Sequence, residues 1–132
     1  MTTEERLAKV ERELADLRAE LAAGLTTRQV EIVDEAGEVR ALLTVSADGP
    51  GLELLDENGM GRAGLIVGKV GPGLALTDEH GKHRAGLAVG KDGPVLSLRD
   101  EHSTPRAGLI VGKDGPGLIL QDAAGKAIWS AP

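Results

Sequence analysis

Leucine and valine fall along this chain in two different rhythms. In residues 1–25 the apolar positions are Leu7, Val10, Leu14, Leu17 and Leu21, spaced three and four apart. That spacing predicts a helix with one narrow seam, two positions in seven, which is the pattern of a coiled coil. A helix packed on a globular core carries a wider stripe. Thr2, with Glu5 three residues on, predicts a capping box, and Gly24 stands where a C-terminal cap belongs. With Leu7 at position a, Arg6 and Glu13 fall at g, and Glu11 and Arg18 at e. Parallel neighbours would then pair Arg6 with Glu11 and Glu13 with Arg18, both attractively. Glu5 and Lys9 are spaced for a pair within one helix. The competing reading is a surface helix docked on its own domain.

After the helix the rhythm becomes alternation. Residues 40–127 are four copies of a 22-residue unit: 40–61, 62–83, 84–105 and 106–127. Residues 26–39 hold a half copy, in which Val30 to Val39 aligns with Leu52 to Gly61, and residues 128–132 cap the array. Each copy predicts two short strands, R-A-x-L-x-V and L-x-L-x-D, about nine strands in all, each antiparallel to its neighbours. One parity collects Leu43, Val45, Leu52, Leu54, Leu65, Val67, Leu74, Leu76, Leu87, Val89, Leu96, Leu98, Leu109, Val111, Leu118 and Leu120. These are the expected interior of a shaft. The glycines Gly64, Gly68, Gly86, Gly90, Gly108 and Gly112 take the opposite parity, and copy one, with Leu42 and Ser46 there, is expected to differ in shape. D-G-P-G (Asp48–Gly51, Asp114–Gly117) is the expected link within a copy. D-E-x-G (Asp56–Gly59, Asp78–Gly81) is the expected link between copies, a tight turn with a bulge.

Composition narrows the architecture. Phe and Tyr are absent and Trp129 is the only aromatic, so a thick globular core is not expected. A leucine-faced sheet still needs cover, and the chain offers no second amphipathic helix to supply it. The fold class predicted is mainly β: hairpin repeats forming a β-prism or β-solenoid shaft, led by a coiled-coil helix. A prism would be walled by identical chains, with three closing it; a solenoid would be a monomer whose helix caps one end. Trp129 would plug the last layer.

The rest of the chemistry is sparse. Net charge is −6 and no aromatic platform exists, which argues against nucleic acid. No run of 18 apolar residues predicts a membrane span, and Met1 to Arg18 is too charged for a secretory leader. The compartment stays open between cytoplasm and a virion or cell surface. No cofactor is predicted. His80, His83 and His102 are weak metal candidates at turns. Asp56, Asp78, Asp100 and Asp122 are explained by turn formation better than by calcium. Arg40, Arg62, Arg84 and Arg106, with Lys69, Lys91 and Lys113, are expected as surface ion pairs before a polyanion stripe. Gly59–Gly64 matches G-x-G-x-x-G, but a strand and not a helix is predicted to follow it. Ser46, Ser97, Ser103 and Ser130 lack a nucleophile setting, so no enzyme is expected.

The unit D-x-x-G-K-x-R-A-x-L (Asp78–Leu87, and in part Asp122–Lys126), followed by D-G-P-x-L-x-L, resembles a hairpin repeat of uncharacterised bacterial proteins. Its D-x-x-G-[KR] part is similar to the hairpin repeats of Rhs-type proteins. A short coiled coil feeding a β-repeat shaft resembles trimeric fibre and stalk proteins of phages and bacterial surfaces. The resemblance implies a homotrimeric structural or attachment role with no catalytic residue. The alternative is a binding module that uses exposed turns for a polyanion, a protein or a metal.

Overall fold

A computed structural model describes residues 1–24 and 26–132. Helix α1 spans Thr3–Ala22. The capping box forms: Thr2 Oγ1 accepts the Glu5 N–H at 3.2 Å, and Glu5 Oε2 accepts the Thr2 N–H at 2.6 Å. At the other end Gly24 turns left-handed, φ +102°, and its N–H donates to the Leu21 carbonyl. Because Glu5 serves the cap, the expected Glu5–Lys9 pair does not form; Lys9 reaches Glu13 at 3.7 Å instead.

Ten strands follow, one more than the alternation predicts. They are β1 (Gln29–Val33), β2 (Val39–Ser46), β3 (Gly49–Leu55), β4 (Gly61–Gly68), β5 (Gly71–Thr77), β6 (His83–Gly90), β7 (Gly93–Arg99), β8 (Pro105–Gly112), β9 (Gly115–Gln121) and β10 (Ala127–Ala131). Each pairs antiparallel with its sequence neighbours in one open sheet. The extra strand is the C-terminal segment: Trp129, Ser130 and Ala131 pair with Leu120, Ile119 and Leu118.

Register sorts the side chains. Leu43 faces Leu52, Leu52 faces Leu65, Leu65 faces Leu74, and the row runs on through Leu87, Leu96 and Leu109 to Leu118. Beside it runs a row in which Ala63 faces Leu76 and Ala85 faces Leu98, ending at Trp129 opposite Leu120. On the other side Val67 faces Pro72 and Val89 faces Pro94. The sixteen predicted interior residues therefore share one face, here the leucine face. The opposite, glycine face carries Gly64, Ala75, Gly86, Ser97 and Gly108 in a single row. Away from strand ends only Glu31 and Glu53 bear charge.

The turns differ from expectation in one respect. Gly68 pairs with Gly71, so the link within a copy is a two-residue tip, Lys69–Val70. Ala47–Asp48, Lys91–Asp92 and Lys113–Asp114 are its equivalents, and the Gly-Pro that follows each already belongs to the strand. Three of the four tips also pack closely on the next copy. Gly71 has φ +127°, and a Cβ there would lie 1.9 Å from the Val89 carbonyl oxygen of the next copy. Gly49 and Gly93 repeat this approach against Val67 and Val111. Copy one is not different in register; β2 and β3 pair as β4 and β5 do.

Among the described residues no layer covers either face. Helix α1 contacts no strand, so among the described residues the docked-helix reading finds no support. No described side chain is fully buried. The chain exposes 10083 Å², whereas a compact monomer of its mass would expose about 6,600 Å².

Candidate assembly surfaces

Two apolar surfaces stand uncovered. On α1, Leu7, Val10, Leu14, Leu17 and Leu21 remain 45–73% exposed. On the sheet, the leucine row runs from 39% exposed at Leu118 to 53% at Leu43. Full cover of one such side chain stabilises by about 1.5–3 kcal/mol relative to water. An apolar patch on a monomer is ordinarily a few hundred Å², and larger ones mark interaction surfaces.

Periodic polar residues hold this sheet in shape. In each between-copy turn one aspartate closes the loop. Asp56 Oδ1 accepts the Asn58 N–H at 2.9 Å and the Met60 N–H at 3.1 Å. Asp78, Asp100 and Asp122 do the same for His80 and Lys82, His102 and Thr104, and Ala124 and Lys126. Asp34 does so in the half copy, where Asp34–Gly37 also reads D-E-x-G, whereas Asp100–Ser103 and Asp122–Gly125 form the same loop without matching that pattern. The other carboxylate oxygen takes an arginine six residues on: Asp56 with Arg62 at 3.0 Å, Asp78 with Arg84 at 3.2 Å, Asp100 with Arg106 at 3.3 Å, Asp34 with Arg40 at 2.6 Å.

The arginines also reach forward. Arg62 Nε donates to the Thr77 carbonyl at 3.1 Å, Arg84 to Arg99, and Arg106 to Gln121. Arg40 donates to the Asp56 carbonyl. Each guanidinium thus ties its own turn to the next one along the edge. The backbone explains the reach. Leu54 pairs with Ala63 but Leu55 pairs with Gly61, so Arg62 is the extra residue of a bulge. A bulge re-aims its side chain. Sequence periodicity pointed to surface ion pairs for the arginines; the forward bond depends on the bulge at Arg62, a second irregularity beyond the bulged turn that D-E-x-G predicted.

These contacts set the carboxyls' acidity. The Met60 N–H, then Arg62, hold Asp56 below the ordinary value of 3.8. The Glu38 N–H and Arg40 act likewise on Asp34, and the Lys82 N–H leads for Asp78. At Asp100 desolvation pushes upward, but the Thr104 and His102 N–H groups and Arg106 outweigh it.

The histidines are not brought together. His80 and His102 stand at separate turn tips, 3.7 Å from Glu79 and 3.8 Å from Glu101. His83 lies instead on the glycine face: a Cβ on Gly86 would come 2.9 Å from its ring. Among the described residues no three ligating side chains converge. Gly59–Gly64 runs from a hairpin turn directly into β4. No described helix is long and apolar enough to cross a membrane. No protein-family model matches the chain, and no curated protein matches it significantly in sequence.

Proposed function

We propose that this chain is a structural assembly module: three copies in parallel, their helices joined in a coiled coil and their leucine faces turned inward around one axis, forming a short prism-shaped stalk. The observation that carries this is the leucine face itself, a continuous apolar surface across ten strands that nothing among the described residues covers. Identical chains are the economical cover, because the face repeats and a parallel seam would hold the repeats level.

Strand width supports three walls. The apolar stretch of β4, Ala63 to Val67, is five residues, about 17 Å long at ~3.4 Å per residue. A triangle of that side puts each wall about 5 Å from the axis, half the ~10 Å between packed sheets. Leucine and valine fill such a space, and Phe or Tyr would overfill it. Trp129 on β10 closes the last layer in this arrangement. The monomeric solenoid reading would require leucines already sheltered within one chain.

Light scattering over a range of concentrations tests the proposal. The expected mass is about three times 13.6 kDa. A monomer at micromolar concentration overturns it.

A further inference from the structure

The two long edges of the sheet carry charge ladders with the same 22-residue period. One edge presents the two-residue tips with Lys69, Lys91 and Lys113. The other presents the aspartate turns, with Glu57, Glu79 and Glu101 at equivalent, exposed places. None of the three lysines has an ion-pair partner among the described residues, nor does Glu57; Glu79 and Glu101 touch only the adjacent histidine. Strands of seven and eight residues hold the two edges roughly 25 Å apart, well beyond the ~10 Å screening length at 0.1 M salt. Within one chain the ladders cannot serve each other.

Rotation about an axis along the strand-stacking direction brings them together. Any parallel ring of copies about that axis sets the tip edge of one chain against the turn edge of the next. Heights along the axis are preserved. The Lys91 tip lies between β6 and β7, whereas the Glu79 and Glu101 turns lie one strand to either side, between β5 and β6 and between β7 and β8. The Lys69 tip falls in the same way between the Glu57 and Glu79 turns. We propose that these edges form the seams between neighbouring copies, with Lys69, Lys91 and Lys113 of one chain interleaving with Glu57, Glu79 and Glu101 of the next. Alternating charge then descends each corner in steps of about 4.8 Å. Asp92 and Asp114 share their tips with Lys91 and Lys113, and Lys82 and Lys126 on the turn edge are charges of opposite sign one strand away from them. The parallel arrangement that joins the two edges is also the one that the helical seam favours. The inference rests on the shared-axis reading.

A double reversal tests it on the full chain. One variant carries Lys69→Glu, Lys91→Glu and Lys113→Glu; a second carries Glu57→Lys, Glu79→Lys and Glu101→Lys; a third carries all six. Each triple is expected to weaken assembly roughly tenfold at low salt, as a set of small exposed pairs would. The sixfold variant, which restores opposite charges at every corner, is expected to return to within about twofold of the parent. In 1 M salt the differences should shrink, since the screening length falls to about 3 Å. Additive losses in the sixfold variant, or triples that assemble like the parent, overturn the corner contact while leaving the mass of the parent assembly as it was. A monomeric parent overturns the shared-axis reading instead.

Discussion

At the scale of single residues, glycine and the aspartate–arginine clamp decide the shape. Gly71 combines a left-handed backbone with a carbonyl 1.9 Å from where a Cβ would sit, whereas Gly115 has a left-handed backbone and nothing within 4 Å. Gly71→Ala should therefore destabilise by about 2 kcal/mol more than Gly115→Ala in urea melts, because only the former adds a backbone clash to the conformational cost. Equal losses would contradict the close approach. The clamp gives a pH signature. Asp34, Asp56 and Asp78 are held below 3.8 by backbone N–H groups first and arginines second, and Asp100 by the same contacts against desolvation. A carboxyl depressed in the folded state stabilises fully above its unfolded value and loses that contribution as pH falls through the folded one. Thermal stability should be level near neutrality and fall below about pH 4; replacing Asp56 and Asp78 by Asn should flatten that fall. The aspartates and arginines were legible from their period alone. The forward bond to the next turn was not, because D-E-x-G predicts a bulge in the turn itself and gives no sign of the second one at the arginine.

At the scale of elements, helix and sheet fail alone for different reasons. A 20-residue helix is marginal in water unless its seam is packed. Leu14→Ser with Leu17→Ser should lower both helicity at 222 nm and assembly mass; unchanged values would make the seam incidental. The sheet, by contrast, is a string of equal units, each bonded to the next by backbone ladder and arginine clamp. Deleting residues 62–83 removes one whole copy and leaves Asp56 six residues before Arg84, the clamp spacing itself. The shortened chain should melt cooperatively at a modestly lower temperature; global unfolding would contradict repeat-by-repeat stability. Strand positions followed from alternation, and the helix from its caps. The tip location did not, because Gly-Pro has turn chemistry, yet Gly49, Gly71, Gly93 and Gly115 each pair across the tip as strand residues, Gly115 with no close approach. His83 was misread as a turn residue for a related reason: the bulge at Arg84 puts it on the same face as Gly86, whose missing side chain makes room for the ring.

At the scale of the molecule the decisive quantity is surface. An area of 10083 Å² exceeds that of a compact protein of this mass by about 3,500 Å². Ordinary stable interfaces bury about 800 Å² per partner, so the surplus is large enough for contacts with two neighbours. Trp129, half exposed on the leucine face at the β10 edge, is a built-in reporter: its emission should move to the red as dilution separates the chains, in step with mass.

Sedimentation equilibrium of the full chain counts the copies in the assembly. A shared-axis trimer gives one species at about three times 13.6 kDa, dissociating only together with loss of β-sheet signal. A stable, fully folded single chain at the same concentration would contradict it.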